Sequence, residues 1–201
     1  MLVTKTVKSD TLMVGYKTFY SHLSKLKSED TNALQFAFGF INIHTKQLCE
    51  INSARISTEK QQMPLTVTPE FRFTLPTEKV LKLANATVVL ELTEKSNICD
   101  ISVQLETKPE YLKTSYAAEE LELIYQQYSN FFDDVGGFMS FMMPTVNGII
   151  IRFGDKTLSG PLSNGMQISK GILSVNANEI SRLHNVDLVK IPLRITAKTS
   201  K

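Results

Sequence analysis

Tryptophan is absent from this 201-residue chain, and cysteine and histidine are scarce, at two and three residues. Cys49 and Cys99 are too few and too far apart for a zinc ribbon or a Cys-x-x-Cys redox pair. His22, His44 and His184 form no His-x-His or His-Glu-x-x-His set, so a catalytic zinc would have to be assembled from distant strands. Long apolar runs are also missing. The richest stretch, Phe138 to Ile151, is interrupted by Ser140, Pro144, Thr145, Asn147 and Gly148 and falls short of the roughly 20 residues of a spanning helix. No transmembrane segment is expected. Met1-Leu2-Val3-Thr4-Lys5-Thr6-Val7-Lys8 offers neither an apolar core nor a small-residue cleavage site, so no signal peptide is predicted within this sequence. That fits a cytosolic protein or one whose leader has been removed. Charge of one sign is lacking too: 22 basic residues face 20 acidic ones, leaving +2. Recruitment of nucleic acid by field alone is thereby excluded.

Motifs for familiar chemistry are equally absent. There is no Gly-x-Ser-x-Gly elbow, no Gly-x-Gly-x-x-Gly and no Walker pattern; Gly136-Gly137 follows a predicted helix instead of opening one. No cofactor is expected, and no catalytic residue can be named.

What is present describes a globular protein. Hydrophobic residues make up 42% and charged residues 21%, with a mean hydropathy of -0.07, ordinary values for a packed core. The length suits a single α+β domain over residues 1–201, with a sub-division near 137–147 between a helix-hairpin part and a C-terminal β part.

Alternation and helical spacing supply the elements. Phe19, Tyr20, Leu23 and Leu26 line one face of a helix over Lys17 to Lys27. Leu34, Phe36, Phe38 and Phe40 alternate as a strand. Leu65 and Val67, then Phe71, Phe73 and Leu75, flank Pro69 as two short strands or one bent edge strand. After Pro76, Val80, Leu81 and Ala84 face inward on a short helix that Asn85 ends in a left-handed conformation. Strands follow over Val88 to Leu92 and Ile98 to Leu105. A long helix from about Tyr116 to Asp134 carries Ala117, Leu121, Ile124, Tyr125, Tyr128, Phe131, Phe132 and Val135 in one stripe, with Ser115 as its cap. Strands over Gly148 to Phe153, Ile168 to Val175 and Val186 to Ala197 complete the pattern. Connections are too short for helical crossovers, so the sheet is expected to be mainly antiparallel, packed by about three helices.

Leu48-Cys49-Glu50-Ile51 and Ile98-Cys99-Asp100-Ile101 match locally, and alternation turns both thiols inward. Each follows a strand and a turn, and each is followed later by a helix. This reads either as an internal ββα duplication with a period of about 50 residues or as convergent hairpin patterning. If the two strands are neighbours, a disulfide would close a loop of about 50 residues and restrict the unfolded chain by about 4 kcal/mol. Otherwise the two are separate buried thiols that pack as small hydrophobes.

Two regions invite a functional reading. Residues 114 to 151 hold five acids and no Lys or Arg, so this segment carries -5 and the rest of the chain +7. Within it, the apolar acidic stretch from Glu119 to Pro144 is the candidate surface for a protein partner or small ligand, with Tyr125, Tyr128, Phe138 and Phe141 as contact residues. Packing of both tyrosines in the core, and solvation of the acidic face, are the competing readings. Met139, Met142 and Met143 form a soft sulfur set that would select Cu(I), although Met also fills irregular cores.

Several of these features together resemble a family of exported gammaproteobacterial proteins known only as a domain of unknown function. The matching residues are Tyr20-Ser21-His22-Leu23, Gly39-Phe40, Leu48-Cys49, Leu75-Pro76, Cys99-Asp100-Ile101 and the Gly136-Gly137-Phe138 segment ending at Pro144, spanning roughly residues 12 to 152. The resemblance implies a periplasmic or envelope location with a removed signal, in which a Cys49–Cys99 bond would persist; a cytoplasmic location is the alternative. The expectation is a non-enzymatic envelope protein that binds a partner or ligand. The alternatives are a hydrolase whose site is assembled from separated loops and a periplasmic Cu(I)-binding protein.

Overall fold

The computed structural model describes residues 9–26, 28–136, 144–163 and 165–200. They form an α+β protein with antiparallel strands. The chain divides into two compact units, one of Met1–Lys25 and Phe36–Gln104, the other of Leu26–Gln35 and Leu105–Lys201.

In the first unit, strand β1 (Asp10–Gly15) leads directly into helix α1 (Tyr16–Leu23). Tyr16, Phe19, Tyr20 and Leu23 are its buried face, the spacing of an amphipathic helix. The chain continues through β2 (Leu34–Asn42), β3 (Ile51–Ser57), β4 (Gln62–Leu65), helix α2 (Lys79–Leu83), β5 (Thr87–Leu92) and β6 (Cys99–Thr107). One antiparallel sheet has the order β1-β5-β3-β4. Its inner strand β5 reads Thr-Val-Val-Leu-Glu-Leu and buries Val88, Val89, Leu90 and Leu92. Pro64 sits on β4 at the edge of the sheet, opposite Arg55, where its missing N–H does not interrupt a central ladder. Phe19, Phe38 and Phe73 meet in the core with ring centroids 5.0 to 6.1 Å apart.

The Pro69 region is neither two strands nor one bent strand. β4 ends at Leu65, and a single bridge then joins Val67 to Phe73 around Phe71, whose φ is +57°. Asn85 is left-handed, with φ at +49°, as its type and position predict. Val80 is not inward-facing. It is 64% exposed, and Ala84 is exposed as well; the five-residue α2 buries Leu81 alone.

Pairing between the two Cys-bearing regions is crosswise. β2 pairs with β6, and β3 pairs with β5; β2 and the segment before β3 share only the bridge Ile41–Leu48. Ile43 N–H donates to Ile98 O at 2.9 Å, and Thr93 N–H donates to Glu50 O at 3.0 Å. Both turns therefore arrive at the same place, and Cys49 and Cys99 are joined as a disulfide with their Cα atoms 6.3 Å apart. Cys49 is fully buried and Cys99 nearly so.

The second unit begins with the 3-10 turn Glu29–Thr31 and Leu34–Gln35 of β2, and resumes at Leu105 in β6. It continues through β7 (Ser115–Ala117), helix α3 (Ala118–Gly136), β8 (Thr145–Arg152), β9 (Gly160–Pro161), β10 (Gln167–Ile168), β11 (Ile172–Asn176), helix α4 (Ala177–Ile180), β12 (Asn185–Asp187) and β13 (Arg194–Ser200). β8 is the centre of a three-stranded antiparallel sheet ordered β11-β8-β13, with Ile149 and Ile151 fully buried. Helix α3 buries Leu121, Ile124, Tyr128 and Phe131 in one stripe.

Three expectations for this unit change. Ser115 does not cap α3: it lies in β7, and its hydroxyl donates to Asp187 on the paired strand β12 at 2.6 Å. Val135 leaves the stripe and is 37% exposed, while the polar Gln127 joins it. The strand expected over Val186 to Ala197 is split into β12 and β13. Pro192 lies in the gap, where the missing N–H prevents a continuous ladder, and Val189 and Ile191 are exposed. Among the described residues no helix is long and apolar enough to cross a membrane.

Candidate functional site

A concave site of about 840 Å³ opens in the second unit between the 3-10 turn, the first half of α3 and the end of α4. Its apolar surface comes from Tyr111, Ala118, Leu123 and Leu183, with Ile180 buried behind them, and its carboxylates from Glu29, Asp30, Glu119 and Glu122. His184 lines it as well, and among the described residues no Lys or Arg does.

Each wall is held by local chemistry. The 3-10 turn is closed by Thr31 N–H donating to Ser28 O at 3.2 Å and Asn32 N–H donating to Glu29 O at 3.3 Å. The segment just after this turn is fastened to α3 by Gln127, which is 5% exposed. Its Oε1 accepts Ala33 N–H at 2.6 Å and its Nε2 donates to Asn32 Oδ1 at 2.7 Å. At the other end, Ala118 N–H, the first of the helix, donates to His184 O at 3.0 Å. That bond satisfies one of the orphan donors of a helix start and fixes the α4 side of the cleft.

The carboxylates differ in their surroundings. Glu120, next to the cleft, is committed elsewhere: it pairs with Lys113 and accepts Ala117 N–H at 3.0 Å. The hydrogen bond from Lys113, followed by that from Ala117, holds its carboxyl below the usual range. Glu122 accepts the amide of Gln126 at 2.8 Å and pairs with no cation among the described residues. Glu29, Asp30 and Glu119 take part in no ion pair among the described residues. Four carboxylates thus face a cleft that no described Lys or Arg lines, beside exposed Leu123. Such a wall favours a positively charged group with an apolar portion attached.

Ser181 and His184 line the same cleft as the acids, the convergence a hydrolase assembled from separated loops would need. The Ser181 hydroxyl, however, donates to Asn178 O at 3.3 Å, which is the bond of a helix end and not that of a nucleophile to its base.

The sequence-derived contact residues fall elsewhere. Tyr128 lies in the core, where its hydroxyl donates to Ile195 O at 2.7 Å and bonds Thr107 Oγ1 at 3.1 Å. Burial pushes its phenol far up, and a fully enclosed ring presents no surface to a partner. Tyr125 is half-buried on α3 and does not line the cleft. Phe138, Phe141, Met139, Met142 and Met143 lie outside the described residues. Glu29, Asp30, Asn32 and the Ile180 to His184 segment were not singled out from the sequence. Only the acidic run of residues 114 to 151 pointed toward this place.

The family model described as protein of unknown function, DUF2987, matches residues 8–153. The chain belongs to this family. All four cleft carboxylates lie inside the matched stretch, and Ile180, Ser181, Leu183 and His184 lie beyond it. No curated protein and no solved structure matches the chain.

Proposed function

We propose that this protein is a non-enzymatic binding protein of the periplasm or cell envelope, whose second unit captures a cationic ligand carrying an apolar group. The observation that carries the reading is the cleft of about 840 Å³, with four carboxylates around an apolar floor and, among the described residues, no Lys or Arg in its lining. Its size falls in the range of sites that enclose small ligands or side chains of a partner. The Cys49–Cys99 disulfide supports the envelope address, because thiols outside the cytosol are not held reduced. An amine or guanidinium would sit against Glu119 and Glu122, and its apolar part on Leu123 and Leu183.

Calorimetric titration with two probes tests this: a linear polyamine, and a short peptide that alternates Arg with Leu. Binding of either should weaken as salt rises, since part of the attraction is between exposed charges. A Glu119→Gln, Glu122→Gln double variant should bind at least about tenfold more weakly, equivalent to about 1.4 kcal/mol. Preference for the polyamine identifies a free solute as the ligand class; preference for the peptide identifies a basic protein segment. Unchanged affinity in the double variant would refute the site, and turnover of ester or peptide substrates lost in Ser181→Ala or His184→Ala would replace binding by hydrolysis.

A further inference from the structure

The disulfide of the first unit has a third participant. The two sulfurs and a carboxylate oxygen of Glu94 all lie within 4.8 Å of one another. Glu94 is held there from both sides of its turn. Its Oε2 accepts Glu50 N–H at 2.9 Å, and Thr93 N–H returns a bond to Glu50 O at 3.0 Å. The residue after Glu50's neighbour Cys49 is thus clamped to the turn that carries the carboxylate, and Cys49 N–H itself donates to Phe40 O at 2.7 Å. The following turn is tied down by Ser96 N–H, which donates to Asp10 Oδ2 at 2.7 Å.

We propose that these three residues form a zinc site when the disulfide is reduced, so that the same two sulfurs serve as a covalent staple in one redox state and as metal ligands in the other. This inference is independent of the cleft in the second unit. Thiolate and carboxylate are both ligand types of Zn²⁺, and three protein ligands with a water complete its tetrahedron. At Zn–S distances of about 2.3 Å the sulfurs would stand roughly 3.8 Å apart. The Glu50 N–H bond to the carboxylate is the outer-shell contact that orients such a ligand.

The chemistry balances simply. A dithiol reductant gives two electrons and two protons to the Cys49–Cys99 bond, becoming a disulfide itself and leaving two protein thiols. Zinc then displaces both thiol protons to solvent, and the carboxylate binds already ionised.

The full chain, reduced with a phosphine under argon, is titrated with Co²⁺ and then with Zn²⁺. Expected is one equivalent of cobalt with thiolate charge-transfer absorption, displaced by zinc, and no uptake by the oxidised protein. Glu94→Gln should retain the disulfide yet weaken cobalt binding at least about tenfold, a scale on which even outer-shell partners count. Circular dichroism is recorded alongside: if reduction unfolds the first unit, zinc should restore its signal. Reduced protein that takes up no cobalt, unfolded protein that zinc does not restore, or an unchanged affinity in Glu94→Gln would each overturn the proposal.

Discussion

Gln127 Oε1 receives the backbone N–H of Ala33 at 2.6 Å, across 94 residues of sequence and inside the protein. A neutral amide on the buried stripe of α3 therefore holds the turn that carries Glu29 and Asp30. Replacing it with Leu leaves the Ala33 donor without a partner, which costs about 1–3 kcal/mol. Urea unfolding should show this loss, and cationic-probe affinity should fall with it, because the Glu29–Asp30 wall is no longer anchored. Tyr128→Phe is the control: it should destabilise by a similar amount by leaving Ile195 O unpaired, but without a change in affinity.

The staple in the first unit predicts a larger effect. Cys49 and Cys99 are separated by 50 residues, for which loop-closure entropy gives about 4 kcal/mol. A Cys49→Ala, Cys99→Ala double variant should lose about that much stability in urea at fixed pH. A loss below about 1 kcal/mol would mean that β2–β6 pairing alone restrains the region.

His22 gives the first unit a pH dependence. Its ring packs edge-on against Phe36 and Phe38, at 5.8 and 6.2 Å. Burial, and secondarily the charge of Lys25, lower its pKa from the ordinary 6.5. The unfolded chain consequently binds a proton that the folded chain does not, over the window from 6.5 down to the depressed value. Stability should be level above that window and fall as pH drops through it. His22→Gln should remove this slope in denaturation midpoints measured between pH 7 and pH 5, about the range where histidine titrates; an identical slope in the variant would assign it to other groups.

Gly148 marks a position where a side chain cannot be accommodated. Its φ is +152°, and a Cβ there would lie 2.1 Å from Val175 O on the paired strand β11. Gly148→Ala should cost at least about 1–3 kcal/mol from backbone strain, with faster amide exchange along β11 as the specific sign that this ladder has been pushed open.

Local pattern identified the pieces that depend on neighbours in sequence. The α1 face was legible because Phe19, Tyr20 and Leu23 repeat at helical spacing; both thiols are buried as alternation suggested, although Cys49 lies just before β3 and not on it. Errors arose where tertiary partners overruled local preference. Ser115 looks like a cap until Asp187 claims its hydroxyl in β7. Val189 and Ile191 alternate like strand residues, yet Pro192 interrupts the ladder. Gln127 is a polar residue on the apolar stripe of α3, and burial suits it only because Ala33 and Asn32 supply its bonds.

Composition and periodicity alone settled that this is an α+β protein with antiparallel strands and no nucleotide or hydrolase motif, since those properties arise from short-range spacing. The crosswise pairing that joins the two sulfurs, the carboxylate placed beside them, and the acidic cleft were decided only by the tertiary structure. All three unite residues tens of positions apart, and it is the packing of distant segments, not the order of their side chains, that determines which charges and donors face one another.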